Sequence, residues 1–116
     1  MQRTSSVAES SARSATARSV TVEDKVRGYI RDLVRASRQT PMILLGAGPR
    51  AGMHLLVASR WTAALEGRMF VTPDDVKRVL HPVIGHRLVV APEVELDGLG
   101  AEDVMNRVAA TVQVPR

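Results

Sequence analysis

No cysteine occurs in the 116 residues. Disulfides, thiolate metal sites and a cysteine nucleophile are therefore excluded. Aromatic rings are almost missing too, with one Tyr, one Trp and one Phe. Three rings cannot assemble a stacking platform for single-stranded nucleic acid, and the core has to be aliphatic. No apolar run comes near the ~20 residues that a membrane-spanning helix needs; Met42 to Leu45 is typical of the longest. Nor is there an apolar h-region for secretion, so no membrane insertion and a cytoplasmic location are the expectation.

What remains is an ordinary globular balance, 45 % hydrophobic and 24 % charged, in a chain long enough to bury a real core. The net charge of +4 is unevenly spread. Residues 1–68 carry eleven Lys or Arg against five Asp or Glu, and residues 69–116 carry five against seven. A basic tail with one basic helix face is ordinarily a solvated surface. A basic helical module that binds nucleic acid or a protein partner is the alternative.

Residues 1–20 differ from everything after them. Six Ser, four Ala, two Thr and three Arg fill fifteen of the twenty positions. With Val7 and Val20 the only sizeable apolar side chains after Met1, this segment is expected to be a disordered tail, dispensable for stability. Its composition is shared with organellar transit peptides. The domain is expected to begin at residue 21 and run to 116.

From there the periodicity is helical. Val22, Val26, Tyr29, Ile30, Leu33 and Val34 form one stripe, with Thr21 able to cap its start and Thr40-Pro41 ending it. Met42 to Leu45 reads as a connector, because no second convincing strand is there to pair with it. A second helix, opened by Pro49 and closed by Gly67, is apolar on almost every side, which predicts a central position with Trp61 buried against the first and last helices. Thr72-Pro73-Asp74-Asp75 is a strong helix start. Pro82 closes that third helix or opens a short one. Residues 89–100 read as a loop, and Val104, Met105, Val108, Ala109 and Val112 mark a last helix over about 101–112. The fold class is all-α, a small bundle of four main helices.

Chemistry is sparse. The glycines at 46 and 48 lack the Lys-Ser or Lys-Thr of a phosphate loop. His54, His81 and His86 form no pair at metal-ligand spacing, and no local Ser-His-Asp pattern occurs. Arg50 stands out. In the first turn of its helix a cation opposes the macrodipole by roughly 0.3–1 kcal/mol, and nothing in packing asks for it. Position alone leaves two readings open: a plain loop before a helix, or a helix start that receives a phosphate.

From Val20 to Arg116 the chain resembles the C-terminal helical lid domain of MoxR-type AAA+ ATPases. The resemblance is carried by Tyr29-Ile30, Leu33-Val34 and Ala36-Ser37-Arg38, and then by Leu45-Gly46-Ala47-Gly48-Pro49-Arg50-Ala51. Gly67-Arg68, Val71 to Val76, Pro82-Val83, His86-Arg87-Leu88 and Val114-Pro115-Arg116 follow in order. The family usually has Ser at the place of Gly48, Thr at Ser37 and Arg at Gly85; the first change is expected to remove a helix cap. The resemblance implies that Arg50, in a loop with Gly48 and Pro49, is the sensor-2 arginine that reaches the γ-phosphate of ATP. ATP and Mg²⁺ are implied only for the full ATPase, and none for this chain alone. Walker A, Walker B, sensor 1 and the arginine finger belong to a core domain that this chain lacks, so it is not expected to hydrolyse ATP by itself. The implied partners are that core, neighbouring subunits of a hexamer, and proteins with von Willebrand factor A domains. The implied role is chaperone-like.

Overall fold

The computed structural model describes residues 16–116. In chain order it contains α1 (Asp24–Gln39), β1 (Ile43–Leu45), α2 (Ala51–Leu65), α3 (Pro73–Ile84), a 3-10 turn (Gly85–Arg87), β2 (Val89–Val90), α4 (Pro92–Leu96) and α5 (Ala101–Ala110). The four helices α1, α2, α3 and α5 are the expected bundle, around an aliphatic core.

The stripe on α1 is buried as its spacing predicts: Val26, Tyr29, Ile30, Leu33 and Val34 face the core, and the arginines stay in solvent. Thr40, extended before Pro41, ends the helix. The start differs from expectation. Glu23 holds the N-cap position without a side-chain capping bond, and Thr21 pairs its backbone with a distant segment. Its N–H donates to the Met69 carbonyl at 2.8 Å, and its carbonyl accepts from the Val71 N–H at 3.0 Å. This bridge also corrects the domain boundary. Residues 1–15 of the expected tail lie outside the described residues, but 16–19 are helical, and Ala17 and Val20 are buried. One valine beside a paired backbone is enough to draw the segment into the core.

The connector at 42–45 is a strand. β1 pairs antiparallel with β2, Ile43 opposite Val90 and Leu45 opposite Val89, with an irregularity at Leu44 between them. The Ala91 N–H extends the ribbon by donating to the Met42 carbonyl at 2.9 Å. Two residues of β2 carry no visible period, so only the tertiary pairing reveals them. The expected loop over 89–100 therefore holds β2 and α4.

In α2, Ala51, Leu55, Ser59 and Ala63 are buried one turn apart, and the Ser59 hydroxyl is satisfied by the Leu55 carbonyl at 2.7 Å. Three of these four are small, which lets the neighbouring helices approach closely. Trp61 is not in the core. Lying two residues from both Ser59 and Ala63, it points away from the buried edge, and it sits partly buried in a groove with Val57, Pro82 and Val83. Met53, Val57 and Leu65 are exposed on the same helix. Being apolar all round does not make α2 buried all round.

The corner between α2 and α3 is built with the most constraint. Gly67, in the left-handed region at φ 76°, ends α2 in a Schellman arrangement. Its N–H donates to the Ala64 carbonyl at 3.0 Å, and the Arg68 N–H to the Ala63 carbonyl at 2.9 Å. Thr72 and Asp75 form a capping box on α3. The guanidinium of Arg68 then grips the Asp75 carboxylate through two bonds of 2.6 Å, while Asp75 is 1 % exposed. Glu66 takes a further bond from Arg68 and one from Arg78. Pro82 lies inside α3, which continues to Ile84.

Burial alone pushes the Asp75 carboxyl up, but the bonds from Arg68 and the Thr72 backbone outweigh it and hold the group below its ordinary value. A carboxylate depressed in the folded state contributes stability above the unfolded value near ~4, and that stability is lost as pH falls through the folded value. The melting temperature is therefore expected to drop on acidification below about pH 4, and Asp75→Asn to flatten that limb. Arg68→Ala, which strands a buried carboxylate, is expected to cost about 3 kcal/mol in denaturant unfolding. An unchanged midpoint would contradict the role given to this pair.

The Tyr29 hydroxyl is buried without a hydrogen-bond partner. Burial first, and the charge of Asp74 second, raise its pKa. Since the hydroxyl loses its water and gains no bond, Tyr29→Phe is expected to leave thermal stability equal or higher. A clear loss would mean that the hydroxyl is bonded after all.

Candidate functional site

The loop from Gly46 to Arg50 leaves β1 and opens α2. Gly48 lies at φ 94°, where a side chain would strain the backbone. Its carbonyl accepts from the Ala51 N–H at 3.4 Å and from Arg38 Nη2 at 3.2 Å. The bond from Arg38, on the last turn of α1, fastens the loop from outside. Sequence reasoning missed this contact. The only local signal was a cation at the end of a helix whose following loop bends back across it.

Arg50 occupies the N-cap of α2, one residue before the helix proper, and its side chain makes no capping bond. The first helical bond runs from the His54 N–H to the Arg50 carbonyl at 3.0 Å. No acidic residue stands in the first turn. Gly48, Pro49 and Arg50 are all exposed, and Arg50 has no ion pair with any described residue. The cap that a Ser at position 48 was expected to supply belongs to another place, since Gly48 lies two residues before the N-cap.

This end of α2 thus gathers a positive helix pole, uncapped N–H groups and a free guanidinium on one exposed surface. Such a set repels cations and receives an anion with several oxygens. The described residues supply no such anion here.

The histidines do not join it. His54 Nδ1 lies 3.3 Å from Arg87 Nη1, and the His81 and His86 rings are 5.2 Å apart between centroids. Among the described residues no three His, Asp or Glu are gathered as a metal site. Gly85 is explained by the same ring: a Cβ there would lie 2.1 Å from His81 Nδ1, so an arginine at this place requires His81 to swing aside. No described helix is long and apolar enough to cross a membrane.

The comparisons with known proteins agree with this architecture. A sequence model described as the AAA lid domain matches residues 35–108. The uncharacterized protein YeaC of Bacillus subtilis is 32 % identical over 96 residues, covering 83 % of this chain and 30 % of that protein. The chaperone MoxR1 of Mycobacterium tuberculosis is 39 % identical over 74 residues, covering 64 % of this chain and 20 % of that one. Among solved structures, a candidate ATPase of Cytophaga hutchinsonii superposes with a TM-score of 0.78 at 24 % identity, over 88 % of this chain and 34 % of that one; this shows a shared fold. The chain spans about a third or less of the length of each of these relatives. With more than half of its residues inside the family match, it belongs to the AAA lid domains, and specifically to the C-terminal lids of MoxR-type AAA+ ATPases.

Proposed function

We propose that this chain is the nucleotide-sensing lid of a MoxR-type chaperone-like ATPase, with Arg50 as the sensor-2 arginine and Gly48 and Pro49 shaping its loop. One observation carries this reading: a cation stands exposed at the positive pole of α2, where it opposes the helix dipole and has no partner among the described residues. A residue that costs the isolated fold something is explained by a charge it meets outside the fold. In the full ATPase, ATP bound with Mg²⁺ at the core domain would supply that charge at its γ-phosphate. Arg50 would then stabilise the negative charge there. The bond from Arg38 to the Gly48 carbonyl keeps the loop, and with it Arg50, at a fixed height above the end of α2. Because the Arg68–Asp75 pair locks α2 to α3, a displacement of Arg50 moves the lid as one body.

Under this reading the chain alone has no hydrolytic activity. It works with its core domain and with the neighbouring subunits of a hexamer in the cytoplasm, and a von Willebrand factor A domain protein is a further partner. Nucleic acid is the weaker choice, because the arginines of α1 border an aliphatic groove with no ring for a base to stack on.

The test separates fold from function. Arg50→Ala in this chain is expected to leave the melting temperature unchanged or slightly raised, since a cation leaves the positive pole. In the full-length ATPase the same change is expected to slow turnover on the order of 10³-fold, as for other arginines that meet phosphoryl charge. An ATPase rate indifferent to the substitution overturns the assignment of Arg50.

A further inference from the structure

A groove of about 590 Å³ runs between α1 and the first half of α2. Its floor is aliphatic, formed by Ile30, Val34, Met53 and Leu56, and one rim is formed by Arg27, Arg31, Arg35 and Arg38. All four arginines are exposed. The nearest thing to an ion pair on this rim is a loose contact of 3.9 Å from Arg31 to the exposed Asp32. Among the described residues no carboxylate lines the groove. Its occupant must therefore bring apolar side chains for the floor and carboxylates for the rim.

Such a surface exists on the same chain, elsewhere. In α4 the side chain of Leu96 is 87 % exposed, while Val94 of the same turn packs toward Val90, Val104 and Val108. Two residues on from Val94, Leu96 lies on the opposite side, away from its own core. Glu95 and Asp97 flank it in sequence, and Glu93 lies three residues before it. All are exposed and none has an ion pair among the described residues. None of them lines the groove of its own molecule. Glu93 and Asp97 are four residues apart, as are Arg31 and Arg35, and both spacings are about 6 Å along a helix.

We propose that the α1–α2 groove receives the α4 turn of a second copy of this chain, Leu96 entering between the helices and the flanking carboxylates meeting the arginine rim. Groove and knob are different patches, so the contact is head-to-tail, closing into a ring or running on as a filament. Residues 1–15 are the wrong occupant by charge, with Arg3 and Arg13 against Glu9. Pro49 of the Arg50 loop also borders the groove, but the test reads subunit contacts without nucleotide, so its outcome is distinguishable from that of the role given to Arg50.

The experiment is sedimentation of the 116-residue chain up to about 1 mM. Concentration-dependent association is expected, and it should fade as ionic strength rises from about 0.1 M to 1 M, where screening shortens from about 10 Å to about 3 Å. The paired change Arg31→Glu with Arg35→Glu, or Glu93→Arg with Asp97→Arg, should each weaken association about tenfold or more. The four changes together restore opposite charges across the contact and should recover it. All four positions are exposed, and unchanged melting temperatures confirm that the variants fold. A chain that stays monomeric to 1 mM, association unmoved by the reversals, or a four-fold variant that fails to recover overturns the proposal. So does a monomer whose groove is instead titrated by a duplex oligonucleotide.

Discussion

Asp75 accepts two bonds from the Arg68 guanidinium and one from the Thr72 backbone while almost wholly withdrawn from water. The rest of the lid is arranged around that contact. The backbone of Arg68 completes the end of α2, and its side chain completes the start of α3, so one residue finishes two helices. A buried carboxylate is tolerable only with such a set of donors. If Arg68 moves, Asp75 is stranded, the cap of α3 loosens, and the two longest-packed faces of the bundle lose their common reference. The orientation of α2, and hence of the loop at its far end, is inherited from this corner.

Much of the architecture is legible in the sequence because it is written in local chemistry. Thr72, Pro73 and Asp75 announce a capped helix wherever they fold, Gly67 announces its predecessor's end, and the α1 stripe needs only the period of a helix. What escaped is tertiary. The pairing of Ile43 with Val90 joins two short segments, each meaningless alone. Val20 looks like a stray valine in a serine-rich run until the Thr21 backbone is seen bonded to residues 69 and 71. Trp61 misleads in the other direction: hydrophobicity says that it prefers burial, and only the small-residue edge of α2 says which side is buried.

The candidate site divides in the same way. Arg50 is conspicuous in the sequence because it breaks a local rule, a cation at a positive helix end, and the structure leaves it exposed at the N-cap. Arg38 is inconspicuous because its significance lies in a bond to a carbonyl ten residues away. Arg68 reads as one more surface arginine until its partner is found. Arginines on this chain thus serve three different purposes, and composition alone, which counts fourteen of them alike, cannot sort them.

The backbone bridge at Thr21 bears on the order in which the chain assembles. The Arg68–Asp75 corner closes a loop of seven residues, whereas joining Thr21 to Phe70 closes one of roughly 50, which costs about 2 kcal/mol more in chain entropy. The α2–α3 corner can therefore form early and locally, and the bridge fastens only once α1 has come round to meet it.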